Sequence, residues 1–326
     1  MRIGVIFTGG TIGSRQSAGG IAPSDSAPHH LLSLYRKKYG DVFDFCTFEP
    51  YTILSENLSF THIELLAECI QKAAKVCERI IVTHGTDTLQ YTGAALSYLL
   101  GLCSVPVVLV SANRPLTDKR SNGPDNFAAA VCFLRDTADA RGVYISYRNH
   151  GESAKIHRAS RVLRHHAFDD AICSVDGTVA TVKSQKTHHV MSFSEQNDAQ
   201  APYIGTGISA AAGKVLFLAA HPDMVYPDPA PYAAVLLETY HSGTLATASQ
   251  ALCDFAAQAR QAGVPIFLAG VPSGGTAYES GALYSALSLQ VLPPIPPIAA
   301  YMKLCLAVAG GRALKAALFA PLGGDL

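Results

Sequence analysis

Arg2–Ser14 reads RIGVIFTGGTIGS, and the reading of the rest of the chain turns on this stretch. Ile3–Phe7 is short, apolar and biased to β-branched residues, the pattern of a buried β-strand. Thr8 then opens a turn, where Gly9 and Gly10 permit backbone angles or close approaches that a side chain would block. Thr11 follows, where strand gives way to loop. A hydroxyl at the carboxyl end of the first strand of an α/β sheet sits where such sheets bind ligands. Taken alone, the stretch reads equally well as a strand and turn closed by a capping threonine.

Composition bounds the possibilities. At 326 residues and 34.4 kDa there is room for two domains of ordinary size. The chain is 49% hydrophobic and 15% charged, which favours a large core and argues against disorder. Basic and acidic residues balance at 25 each, so charge gives no case for nucleic acid or an anionic membrane as a partner. Two uncharged runs, Tyr91–Asn113 and Ser280–Met302, are divided by Gly101 and Pro106 and by four prolines (293, 294, 296 and 297), so neither reads as a membrane helix. Ile3–Phe7 is too short for a signal-peptide core, which implies a cytoplasmic protein. Eight cysteines lie scattered without a CxxC pair, as small buried hydrophobes in a reducing compartment would. The twelve histidines show no HExxH-like spacing, so no metal is expected.

Along the chain, Arg15–Pro28 is rich in Ser, Gly, Ala and Pro and reads as a loop placed to act as a lid. His29–Tyr39 looks helical, and Thr52–Leu54 a short strand ending in Ser55-Glu56-Asn57. Thr61–Glu78 is the clearest helix, with Thr61 and Glu64 as a capping box. Arg79–Val82 is a strand ending in Thr83-His84-Gly85-Thr86-Asp87-Thr88. A helix (Leu89–Leu102), a strand (Val105–Val110), a helix (Asn122–Thr137) and a strand (Val143–Tyr147) follow. Strands alternating with helices imply an α/β fold with a mainly parallel sheet covered on both faces. Periodicity fades over 184–212 and then resumes on a smaller scale. The expected organisation is a larger domain over 1–183, a linker over 184–212 and a smaller α/β domain over 213–326.

Thr11, Ser55 with Glu56, Thr86 with Asp87, and Ser111 all stand at strand ends. In a parallel sheet these ends share one edge, so the groups can converge although distant in sequence. Two hydroxyls near a carboxylate, with backbone N–H groups beside them, suit nucleophilic attack on a carbonyl: one hydroxyl attacks, a neighbour accepts its proton, and the N–H groups hold the oxyanion. Residue by residue, a helix cap explains each hydroxyl as well. It explains the set much less well.

VIFTGGTIGS and VTHGTDTL, in this order and at this separation, resemble the two active-site signatures of the bacterial-type asparaginases. Ser55-Glu56-Asn57, Ser111-Ala112-Asn113-Arg114-Pro115 and Ser121-Asn122-Gly123-Pro124 extend the likeness. The resemblance implies hydrolysis of the side-chain amide of L-asparagine, sometimes L-glutamine, without metal or cofactor, by a homodimer or homotetramer. It implies Thr11 as the nucleophile that forms an acyl-enzyme, Thr86 as the second catalytic threonine and Asp87 as its acidic neighbour and a grip on the substrate's α-amino group. Ser55, Glu56 and Ser111 would help bind the substrate.

Two departures from the family pattern stand out. The family's lysine falls at Arg164 in HRASRVLRHHAFDDAICS, and an arginine keeps the charge but cannot act as a base. Lys155 is the nearest alternative cation. Where many members carry a catalytic tyrosine, the loop after the first strand offers Ile21. In the second domain Val271-Pro272-Ser273-Gly274-Gly275 and Glu279 match the segment that reaches a neighbouring subunit's site. The alternatives are an amidohydrolase for another small amide, including L-glutamine, and a low-turnover homologue that binds asparagine or aspartate. The amidotransferase component that modifies misacylated tRNA has a related domain and ranks last, because no basic surface signals RNA.

Overall fold

The structure is a computed structural model that describes residues 1–17, 20–23, 27–190, 197–272 and 278–326, with the backbone alone described over 14–17, 20–23 and 27–29. In chain order the elements are β1 (Arg2–Phe7), β2 (Ser14–Ser17), β3 (Gly20–Pro23), α1 (Ala27–Tyr39), β4 (Asp44–Phe48), α2 (Phe60–Ala73), β5 (Arg79–Thr83) and α3 (Leu89–Leu100). They continue as β6 (Val107–Val110), α4 (Gly123–Asp136), β7 (Val143–Tyr147), β8 (Ala154–Arg158), β9 (Ala180–Lys183) and β10 (Lys186–His189). The chain closes with β11 (Val215–Ala219), β12 (Ala234–Glu238), α5 (Gln250–Gln261), β13 (Ile266–Ala269), α6 (Glu279–Ala282), β14 (Leu289–Val291), α7 (Pro297–Ala309) and α8 (Leu314–Phe319).

The larger sheet has the order β10-β9-β8-β7-β6-β5-β1-β4. Strands β4, β1, β5, β6 and β7 run parallel, and β8 to β10 continue the sheet antiparallel. The smaller sheet, β11-β12-β13-β14, is parallel throughout. β5, β6 and β7 read RIIVT, VVLV and VYISY and are almost wholly buried, as strands covered on both faces must be.

Helix α3 joins the two sheets. All its residues but Tyr91 are buried, and it packs between the large sheet and α7, with Gly93 against Ala159 and Ile145. Leu89, Leu96, Leu99, Leu236, Phe267 and Met302 thus belong to one apolar cluster, and each such side chain contributes about 1.5–3 kcal/mol on burial. The chain's end is tied to the same region. Lys303 donates to Asp325 at 2.6 Å with both side chains fully buried, and Ser160 Oγ donates to Gly323 O at 2.9 Å.

Several expectations are corrected. Within Arg15–Pro28, β2 and β3 form an antiparallel pair from Ser14↔Pro23 to Ser17↔Gly20. Thr52–Leu54 is reduced to one parallel bridge, Gly9↔Ile53, and the strand beside β1 is instead β4. Helix α2 starts one residue earlier and is capped by Ser59, whose N–H donates to His62 Nδ1 at 3.1 Å, in place of the Thr61–Glu64 box; Glu64 instead accepts from Ser209. It ends at Ala73 because the next turn tightens to i−3 bonds at Lys75 and Val76. Lys186–His189, inside the span read as linker, is the edge strand of the large sheet. Among the described residues no helix is long and apolar enough to cross a membrane, and no group of three or more His, Cys, Asp or Glu side chains could hold a metal ion.

Candidate active site

β1 and β5 pair in parallel, with Phe7 opposite Thr83, so the two threonine turns leave the same sheet edge side by side. Thr8 Oγ1 donates to Thr83 O at 2.7 Å, and Gly10 N donates to Ile53 O at 2.9 Å. Gly10 has φ +70°, and a Cβ there would lie 2.3 Å from Gly85 N. A Cβ on Gly85 would lie 2.4 Å from Ser55 Cβ. The segments around Gly10, Ser55 and Gly85 therefore pack closer than any side chain between them would allow. Thr11 opens a 3₁₀ turn (Thr11–Gly13) directly after this contact, and Thr86 follows it on the other side; both are half-buried.

Ser55 is buried and its hydroxyl donates to Asp87 Oδ2 at 2.8 Å. Thr88 Oγ1 donates to Ser55 O at 3.0 Å, and Gln90 Nε2 to Asp87 O at 3.1 Å, which fixes the turn that carries Asp87. Beneath it His84 is fully buried, with Nδ1 2.9 Å from Gly85 O and Nε2 2.9 Å from Thr92 Oγ1. A carbonyl can only accept, so Nδ1 carries the proton and Nε2 accepts from the threonine hydroxyl. Burial lowers the His84 pKa to about 4, so this ring supports the turn as a neutral group.

A cavity of about 640 Å³ opens at this edge, lined by Thr86, Asp87, Asn113, Arg114 and the loop from His165 to Asp170. Asp170 is held from two sides: Tyr147 OH donates to Oδ1 at 2.6 Å and Asn113 Nδ2 to Oδ2 at 2.9 Å. Burial, reinforced by the hydrogen bond to Asp170, raises the Tyr147 phenol well above its ordinary pKa and keeps it a donor. Sequence reasoning assigned no role to Tyr147, Asn113 or Asp170. The available signals were a tyrosine at the carboxyl end of a parallel strand and an acidic pair after Phe168.

The structure brings Thr11, Ser55, Thr86 and Asp87 to one edge. Of the remaining candidates, Glu56 adjoins Ser55 and Ser111 ends the neighbouring strand β6, and none of the remaining candidates lines the cavity. Glu56 is exposed on the 3₁₀ turn Ser55–Asn57. Ser111 follows β6 and is fully buried, its hydroxyl without a hydrogen-bond partner among the described residues. Arg164 does not line the cavity: its Nη2 lies 2.8 Å from Glu238 Oε2 at the end of β12, and its guanidinium lies over the Phe217 ring of β11. Lys155 Nζ pairs with Glu152 at 2.6 Å in the wall of an adjoining cavity. Glu279 is exposed at the start of α6; Ser273, Gly274 and Gly275, quoted with it, lie outside the described residues, as does the side chain of Ile21.

The fold matches that of the thermostable L-asparaginase from Thermococcus kodakarensis with a TM-score of 0.81 at 23% identity, over 100% of this chain and 99% of that one. In sequence the chain is 32% identical to an L-asparaginase of Thermococcus kodakarensis over 52% of its own length and 49% of the relative's. It is 29% identical to one component of the glutamyl-tRNA(Gln) amidotransferase of Methanosarcina barkeri over 59% of its own length and 46% of that protein's. The chain thus spans about half the length of the curated relatives it matches. Residues 2–197 match the family model described as "Asparaginase, N-terminal", and the chain belongs to the asparaginase family.

Proposed function

We propose that this protein hydrolyses the side-chain amide of L-asparagine to L-aspartate and ammonia. Thr11 Oγ attacks the amide carbon, and its proton passes by way of Thr86 and Asp87 to the departing nitrogen. The carbon–nitrogen bond breaks to leave an ester on Thr11, and water then cleaves the ester and restores the hydroxyl. Backbone N–H groups of the two turns face the developing oxyanion. The observation that carries this reading is the backbone contact of Gly10 with Gly85, which sets both threonine turns beside the Ser55–Asp87 hydrogen bond. Family membership supports the same class of chemistry.

In this reading the enzyme needs no cofactor, acts in the cytoplasm and assembles as a homodimer or homotetramer. The commitment of Arg164 to Glu238 favours one second reading, a homologue that binds asparagine or aspartate with little turnover. Ammonia release from L-asparagine and L-glutamine separates the two. Thr11→Ala and Thr86→Ala should each lower turnover by orders of magnitude while circular dichroism and thermal melting stay close to the wild type. A wild type that binds asparagine but releases no ammonia would replace hydrolysis with binding.

A further inference from the structure

The loop between Leu163 and Cys173 supplies much of the cavity wall and is firmly held at its base. Leu163 N donates to Cys173 O at 2.9 Å, and Val162 bridges Ser174. On the returning leg the Asn149 side chain makes two hydrogen bonds with the Ile172 backbone, at 2.9 and 3.1 Å, and Asp170 is held by Tyr147 and Asn113. Between these fixtures the tip is closed by a long backbone bond, Asp169 N to His166 O at 3.4 Å, and residues 166–169 are exposed. Motion of the loop is thereby confined to a few residues at its tip.

Phe168 occupies this tip in two unfavourable states at once. Among the described residues it is the most exposed large apolar side chain, fully open to solvent. Its φ of +66° lies in the left-handed region, where a bulky residue is an outlier. The other described non-glycine residues with positive φ are all polar, being Asp, Ser or Gln. One exposed phenylalanine needs no explanation. A strained one that also lines a cavity with Thr86 and Asp87 does, because such strain collects at ligand clamps and switch regions. In the same tip His165 Nε2 is enclosed without a hydrogen-bond partner among the described residues, a cost that a second arrangement of the tip can remove.

Resting on the substrate site proposed above, we infer that Phe168 is a substrate-covering residue. When asparagine or aspartate enters the cavity, the tip turns between its two fixtures. Phe168 then leaves the left-handed region, and its ring comes over the mouth beside Thr86 and Asp87. Covering the mouth removes bulk water and strengthens the charge interactions inside. The ring's own burial adds to the affinity for the ligand. No bond is made or broken in this step. Products leave when the tip reopens, so its motion contributes to the rate of turnover.

The chain contains no tryptophan, so Phe168→Trp places a single indole at the tip. Titration of that variant with L-aspartate should move its emission to shorter wavelength and slow its quenching by acrylamide, while calorimetry on the same sample marks where the site fills. Phe168→Ala should weaken L-aspartate by about tenfold or more, the effect of burying one such ring. Its thermal midpoint should stay close to the wild type, because the ring is exposed in the free protein. Phe168→Leu should recover part of the affinity. If the indole itself prevents binding, the Phe168→Ala affinity decides. Binding of L-aspartate with unchanged emission, or equal affinity in Phe168→Ala, overturns the inference. An indole already shielded in the ligand-free protein, with emission that follows protein concentration, overturns it too and assigns Phe168 to contact with a second copy. A wild type that binds neither L-aspartate nor L-asparagine removes the substrate site and the inference with it. Binding with the emission shift but no ammonia release keeps the cover and removes hydrolysis.

Discussion

Gly85→Ala would place a methyl group where the two threonine turns meet. The added Cβ would lie 2.4 Å from Ser55 Cβ and 2.5 Å from Ser55 Oγ, well inside ordinary contact distance. The backbone of Gly10 closes the other side, with its Cα 3.3 Å away, so the methyl has no room to retreat. Ser55 must withdraw by about 1 Å, and overpacking of this kind costs about 1–3 kcal/mol. The same movement breaks the 2.8 Å hydrogen bond from Ser55 to Asp87. Shifts of about 1 Å at reacting groups lower turnover by about a hundredfold. The loss should therefore appear mainly in kcat, measured by ammonia release, together with a lower urea midpoint. Gly207→Ala is the control, because its Cβ would meet only the end of the flexible Glu64 side chain at 3.4 Å. Wild-type activity and stability in the Gly85 variant would refute the claim that this contact aligns the two threonines.

Three further outcomes follow from buried and half-buried charges. Burial lowers the pKa values of His84 and His157 to about 4, so the unfolded chain takes up protons from pH 6.5 downward that the native protein refuses. Stability should rise with pH across this window and be lost as pH falls from about 6.5 to about 4, by roughly 3 kcal/mol for each group; urea midpoints at pH 7 and 4.5 measure it, and His84→Gln should flatten the slope. Lys303→Met leaves the fully buried Asp325 carboxylate unpaired and should cost about 3–5 kcal/mol by chemical denaturation, most of it recovered when Asp325→Leu is added. Arg164→Ala should change stability by about 1 kcal/mol or less, because its pairing with Glu238 is partly solvated, and should leave turnover within about threefold; a loss of orders of magnitude would return this guanidinium to the chemistry.

The parts of the fold that could be read from sequence share one physical property. β1, β5, β6 and β7 are apolar runs because both sheet faces are covered, and α2 repeats its buried residues at helical spacing. β8 and β10 escaped because AKIHR and KTHH are polar and are held as strands by their antiparallel neighbours rather than by their own hydrophobicity. The threonine turns were legible because glycines mark them. The Tyr147–Asp170–Asn113 contact was not, since it joins side chains from three separate segments whose meeting depends on the path of a loop. Arg164 was placed by likeness of sequence, and Glu238, on a strand of the other sheet, determines where its charge rests.

The central claim is that Thr11, delivered beside Thr86 and Asp87, forms the covalent bond to substrate. Acid quenching during turnover of L-asparagine, followed by peptide mapping in a mass spectrometer, tests it directly. A β-aspartyl ester on Thr11, absent from Thr11→Ala, is the predicted result; an ester on Thr86, or full turnover in Thr11→Ala, would contradict it.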